Sequence, residues 1–294
     1  MHPPRNLLPF LVTLAAVGLL SLMDAVMKLA ALAVGTYVTL VVRSGFALAM
    51  AGPLYLATRR GWPARPVMRL HIVRGVVIAG MSFTFFWGIT RLPLAEAIAL
   101  SFTSPLVALY LSAVLLGETI ARSAIAASLL GLAGVATIAW GRIEAPAADG
   151  GAALGIAAVL TSSLLYAWNL VLQRQQAQFA KPAEVATFQT AVSGLVYLLF
   201  APWFFALPGS ASLPWIFAAA AMSVGGAMAL AWAYARAEAQ ALIPLEYSGF
   251  LWAMLFGWLF FREPVSAPTL VGAGLIVAGC WIAAPRKPPE MTAA

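Results

Sequence analysis

The chain has 294 residues, 63% of them apolar and 9% charged, with 17 Lys and Arg against 10 Asp and Glu. No soluble fold covers that much apolar surface, and the charges gather in short clusters between apolar runs long enough to cross about 30 Å of hydrocarbon. A transmembrane barrel is excluded because no ~10-residue segments of alternating polarity occur, which leaves an all-α integral membrane protein.

Ten transmembrane helices are predicted, at residues 7–31, 37–58, 72–90, 94–116, 121–140, 152–173, 185–207, 214–235, 239–261 and 267–284, joined by connections too short to fold as soluble domains. Span 1 follows Arg5 and ends near Ala31-Leu32-Ala33, a pattern shared with cleavable signal peptides; Asp24 and Lys28 interrupt the approach to such a site and favour a retained span. These two residues are four apart on one helix face, where opposite charges pair and lower the cost of sitting in lipid. They read either as a gating or proton-coupling pair along a polar path, or as a snorkelling Lys28 neutralised by Asp24. Span 2 encloses Arg43. Span 3 gathers Met81, Phe83, Thr84, Phe86 and Trp87; aromatic and methionine walls beside hydroxyls suit the side chain of a small apolar or aromatic substrate. Phe83, Thr84 and Trp87 are therefore candidate binding residues, while a Trp near a helix end also reads as an interfacial anchor.

Span 4 presents Ser101, Ser104 and Ala108 on one face and contains Pro105, which removes a backbone hydrogen bond and offers a place to bend. Ser101 and Ser104 join the binding candidates. Glu118 follows at a turn, with a structural role, as does Glu263 after span 9. Span 5 carries Ala127 and Gly131, small residues four apart; span 10 carries Gly274 and Ala278, and the two spans are expected to pack together through them. Pro146, Asp149 and Gly150-Gly151 mark a junction. Span 6 adds Tyr166, with Trp168 and Asn169 as binding candidates, and Gln173 one turn on.

Span 9 holds Pro244, Glu246, Tyr247, Ser248, Gly249 and Ala253, with Tyr247 and Ser248 near the midplane as cavity candidates. A carboxylate at Glu246 is costly in lipid and should face protein or water. It reads as a proton carrier or a ligand for a substrate ammonium, or as a structural acceptor with Arg43 as one conceivable partner. The single cysteine, Cys280, allows neither a disulfide framework nor a cysteine metal cluster. His2 and His71 are terminal or beside a basic loop, and no metal-ligand spacing, nucleotide loop or paired carboxylates occur, so no catalysis, cofactor or metal is expected.

With both termini cytoplasmic, Arg5, Arg59, Arg60, Arg65, Arg69, Arg74, Arg122, Arg174, Lys181, Arg236, Arg286 and Lys287 share that face, against Lys28, Arg91, Arg142 and Arg262 on the other; this asymmetry sets the orientation. Sliding the sequence over itself by 145 residues matches Gly80 with Gly225, Trp87 with Trp232, Arg91 with Arg236, Glu118 with Glu263 and Gly134 with Gly279. The halves, residues 1–145 and 146–294, hold five spans each, an odd number that makes the second enter the membrane from the opposite side. Such inverted repeats offer two nearly equivalent packings that open a central site to either side in turn. Asp24 and Lys28 correspond to Asn169 and Gln173, which places the charged pair in the outer half of the bilayer and the amide pair in the inner half.

This pattern resembles the drug/metabolite transporter superfamily in its ten-span form with two EamA repeats. The resemblance covers nearly the whole chain and rests on Ser104-Pro105-Leu106 leading to Leu115-Leu116-Gly117-Glu118, and on Leu259-Phe260-Phe261-Arg262-Glu263-Pro264. Each is followed by a glycine-containing span, with Gly131 and Gly134 in one half and Gly272, Gly274 and Gly279 in the other. Arg262 in place of Gly117 is a departure that bears on the geometry of that turn. Within the superfamily the chain is similar to YddG-type bacterial exporters of aromatic and other neutral amino acids. The resemblance implies a monomeric secondary transporter of the bacterial inner membrane, with amino acids and the lipid bilayer as partners and no nucleic acid. A permease for other metabolites, organic cations or drugs is the rival reading, and an intramembrane enzyme or scaffold a more distant one.

Overall fold

The computed structural model describes residues 7–58, 61–116, 122–143, 150–177, 179–237, 242 and 245–283, which are all-helical without a strand. Arg5, Arg59, Arg60, Gly117, Glu118, Pro146, Asp149, Pro244, Arg286 and Lys287 lie outside the described residues. The elements are α1 (Leu8–Val34), α2 (Thr36–Thr58), α3 (Arg65–Ile89), α4 (Leu94–Ser101), α5 (Ser104–Leu116), α6 (Arg122–Ile143), α7 (Gly150–Ala177), α8 (Pro182–Leu198), α9 (Ala201–Phe204), α10 (Leu213–Tyr234), α11 (Gly249–Phe261) and α12 (Ala267–Ala283). Among them the stretches Leu8–Val34, Thr36–Ala57, Arg65–Ile89, Gly151–Gln173 and Leu213–Tyr234 are long and apolar enough to cross a membrane, and Leu94–Ala108, Ser128–Gly141, Gly249–Phe261 and Ala267–Ile282 are shorter apolar helices.

Local chemistry explains the boundaries. Gly35 separates α1 from α2 with a φ of 84°, a value that costs a side-chain-bearing residue strain, and its N–H bonds the Ala31 carbonyl at 2.9 Å. The third helix starts at Arg65 rather than at 72, because Ala64 is extended and Pro66 sits in the first turn, where its missing N–H leaves nothing unsatisfied. His71 therefore belongs to the same helix as Arg74 and not to a basic loop. The predicted fourth span is broken at Phe102 and Thr103. Pro105 cannot donate to the Ser101 carbonyl one turn back, and the Ser104 hydroxyl donates to it instead at 2.5 Å. The predicted ninth span has its own break at Tyr247 and Ser248, 145 residues later.

Packing follows the glycines. The helices α6 and α12 lie against each other, as do α3 and α7, α1 and α10, and α2 and α8. Exchanging each helix for its counterpart 145 residues away turns the α3–α7 pair into the α10–α1 pair and leaves the other two unchanged. In the first of these, Gly80 meets Leu165, and in the second Gly225 and Gly226 meet Leu19 and Leu20. Phe102 and Tyr247, the counterparts at the two helix breaks, meet edge to face with centroids 5.2 Å apart.

The α6–α12 contact was expected, but the residues making it differ from Ala127, Gly131, Gly274 and Ala278. Gly134 and Gly272 bring the backbones together: a Cβ on Gly134 would stand 2.5 Å from the Gly272 carbonyl oxygen, and one on Gly272 would stand 2.6 Å from that of Gly134. Gly131 instead faces Leu106, and Gly274 has nothing within 4 Å; the side chain of Ala127 lies outside the described residues. Small residues serve here because apolar lipid supplies no hydrophobic drive to pack helices, so close van der Waals approach must hold them. Gly272→Val is expected to destabilise the protein by about 2–3 kcal/mol through overpacking against backbone, seen as a lower melting temperature in detergent. Gly274→Val should leave that temperature unchanged.

Candidate functional site

Two polar clusters occupy opposite ends of the helix bundle. At one end, Lys28 of α1 is 4% exposed. Its Nζ donates to the Leu92 carbonyl at 2.6 Å and to Glu263 Oε1, and it stands 4.8 Å from the centroid of the Phe261 ring. Glu263 Oε2 accepts the N–H of Leu94 at 2.7 Å. Leu94 is the first residue of α4, so a carboxylate from the far half of the sequence caps that helix and complements the positive end of its dipole. The turn delivering Glu263 depends on Arg262, which adopts the left-handed conformation (φ 56°, ψ 32°) suited to a glycine and lays its guanidinium 5.2 Å from the Trp258 ring. Lys28 thus meets Glu263 rather than the expected Asp24.

At the other end, Arg74 of α3 is buried among amides of α7. Its Nε donates to Asn169 Oδ1 at 2.9 Å, Nη2 to Gln173 Oε1 at 3.1 Å, and Nη1 to Gln176 Oε1. One turn earlier His71, fully buried, stacks on Phe188 with centroids 4.7 Å apart, and its Nε2 lies 2.9 Å from Glu184 of α8. Gln176 also touches His71 Nδ1, so α3, α7 and α8 are joined in one network.

Between the ends, Arg43 of α2 donates from Nη2 to Ser223 Oγ of α10 at 2.9 Å and lies 5.7 Å from the Phe86 ring. A recess of about 870 Å³ opens at the Lys28 end. It is lined by the α1–α2 junction from Ala31 to Val38, by Phe83, Trp87, Thr90 and Arg91 of α3, and by Gly151 and Phe204. Its size matches cavities that hold small molecules.

The candidate binding residues divide accordingly. Phe83 and Trp87 line the recess, and Arg91 lies on the Trp87 ring, 3.3 Å from its centroid. The counterpart pair, Arg236 and Trp232, repeats this contact at 4.2 Å. Asn169 belongs to the Arg74 network. Tyr247 and Ser248 form the second helix break, where the Ser248 hydroxyl is buried without a partner among the described residues. The hydroxyls of Thr84 and Ser101 bond carbonyls one turn back, Gly80 and Ala97, both at 2.8 Å, and Ser104 serves the break as described, so all three are engaged by the backbone. Trp168 shares an exposed stripe of α7 with Leu154, Thr161 and Leu164, away from the buried face that holds Asn169. Glu246 accepts the Tyr234 hydroxyl, and Arg43 is not its partner. His71, Arg74, Gln176 and Glu184 were missed. The signal was present: His71, Arg74, Ile78, Ser82 and Phe86 recur every three or four residues on the buried side of α3.

The sequence pattern of the EamA-like transporter family matches residues 7–140 and again residues 153–284. The chain belongs to the EamA-like transporter family. It is 28% identical over 224 residues to an uncharacterized transporter of Helicobacter pylori, covering 74% of each chain. It is also 28% identical over 231 residues to the pseudopaline exporter CntI of Pseudomonas aeruginosa, covering 77% of this chain and 79% of that one. A riboflavin transporter of Rhizobium johnstonii is 27% identical over 214 residues, covering 71% of this chain and 67% of its own. A solved crystal structure with 23% identity superposes with a TM-score of 0.60 over 94% of this chain and 95% of that one, and so shares the fold. As an EamA-like transporter with strongly apolar helices, the protein is a multi-pass membrane protein that handles small molecules.

The Lys28–Glu263 contact has a measurable signature. Glu263→Gln leaves a buried ammonium without its carboxylate and is expected to cost about 3 kcal/mol, whereas replacing both Lys28 and Glu263 by Met should recover most of that loss. A thermal-denaturation double-mutant cycle checks the coupling.

Proposed function

We propose that this EamA-like transporter exports small neutral or aromatic amino acids across the bacterial inner membrane by alternating access, with ten spans arranged as two inverted five-helix repeats and both termini cytoplasmic. One observation carries this reading. The two polar clusters sit at opposite ends of the bundle yet use corresponding positions of the repeat, since Lys28 and Gln173 are 145 residues apart. An alternating cycle needs a releasable closure at each end, built so that opening one is compatible with closing the other. The Lys28–Glu263 contact ties α1 to the start of α4 and to the turn after α11 at the end where the recess opens, and the Arg74 network closes the other end through α3 and α7. The symmetric exchange of helix pairs supports the inverted repeat, and the low count of basic residues near the recess supports an outward-facing position for it.

The aromatic lining of the recess by Tyr37, Phe83, Trp87 and Phe204 favours amino acids with apolar or aromatic side chains. Asp24 and Glu246 are the candidate proton carriers, with Lys28 acting as a gate rather than as a carrier. A second reading, export of other metabolites, is favoured by relatives named for pseudopaline and for riboflavin. Export of organic cations or drugs is the remaining alternative within the family.

Solute counterflow in proteoliposomes distinguishes these readings. Labelled L-phenylalanine is expected to exchange, and unlabelled neutral amino acids to compete better than organic cations; indifference to every amino acid would overturn the substrate reading. Asn169→Ala removes an acceptor from a buried guanidinium and should slow exchange on the order of tenfold. Glu246→Gln should flatten the response to an imposed pH gradient, and an unchanged rate and pH response would remove Glu246 from proton coupling.

A further inference from the structure

Among the described residues, half-buried Arg43 has a nitrogen that is buried and left without a hydrogen-bond partner. Lys28 has Glu263, and Arg74 has amide oxygens on each of its nitrogens. Arg43 has Ser223 on Nη2 and the Phe86 ring near its guanidinium carbon, while its Nε is buried with no hydrogen-bond partner among the described residues. It forms no ion pair among those residues either. A guanidinium presents its N–H groups as a planar fork, and a carboxylate is the shape that fills two of them at once.

The recess approaches this group without being lined by it. On α3 it extends from Arg91 past Trp87 to Phe83, beyond Phe86, whose ring lies beside the Arg43 guanidinium. On α2 it reaches Val38, which is about 7.5 Å from Arg43 along the helix axis at 1.5 Å per residue. A carboxylate brought to this group offsets its charge where unpaired charge is costly.

We propose that Arg43 anchors the carboxylate of the transported molecule, using the unfilled Nε to complete a two-point contact. This rests on the reading of the chain as an amino-acid exporter and names a group that it recognises.

The test uses the full-length protein purified in detergent, with thermal unfolding titrated by L-phenylalanine, L-phenylalaninamide, phenethylamine and 3-phenylpropionate, alongside counterflow of labelled L-phenylalanine. The wild type should be stabilised by L-phenylalanine and not by the amide or the amine. Arg43→Gln should weaken the phenylalanine response at least about tenfold, and Arg43→Lys should fall between because it keeps the charge without the fork. Wild-type affinity for phenylalanine in a folded Arg43→Gln protein would overturn the anchor while leaving amino-acid export standing. If Arg43→Gln does not fold, unchanged affinity in Arg43→Lys overturns it equally. Arg43-dependent stabilisation by 3-phenylpropionate, with no amino acid bound or moved, would keep the carboxylate anchor and defeat the amino-acid reading. Failure of every carboxylate probe to stabilise the wild type would overturn the anchor.

Discussion

A cation held away from water needs acceptors fixed around it, because desolvating a full charge outweighs what any single contact returns. The architecture of this chain is organised by where those acceptors come from. Lys28 draws on the start of α4 and on the turn after α11, so the ends of three helices converge on one ammonium. Arg74 draws on three side-chain amides spaced three and four residues apart along α7, which fixes the rotation of that helix against α3. Arg43 is supplied less completely.

The two end clusters differ in chemistry. One pairs an ammonium with a carboxylate, and the other surrounds a guanidinium with neutral oxygens beside a histidine and its own carboxylate. A transporter whose closures had equal strength would favour neither direction of opening. Unequal closures bias the resting population toward one side, and only a ligand with different affinity for the two states can shift that bias.

Much of the architecture was legible from composition and spacing. Apolar runs point to the helices, Pro105 to the break after Ser101, and the small residues of spans 5 and 10 to the α6–α12 pair, while the other helix pairs are not legible. The partners of individual side chains were not legible. Spacing along a helix pointed from Lys28 to Asp24, four residues away, but the carboxylate that reaches Lys28 is 235 residues distant in sequence, and only the tertiary fold brings it there. His71 falls just before the predicted third span, beside a basic loop, because the apolar run after it is the stronger signal; Pro66 starts the helix earlier, and the periodicity then places His71 inside. Trp168 was attractive for its chemistry, yet helical periodicity alone places it with Leu154 and Leu164 on the outward side. The packing glycines also shifted, since composition shows which residues are small but not which of them face a neighbouring backbone.

The cap on α4 has a further consequence. Its first amide is held by Glu263, a residue of the other half, and that same carboxylate holds Lys28. Fraying of the helix start and parting of the two halves at this end are consequently one event, in which water must take over an amide, an ammonium and a carbonyl together. An exchange of that kind has no comfortable halfway point. It makes the end of the protein a toggle rather than a spring, and the choice of a single acidic side chain for both duties is what removes the intermediate positions.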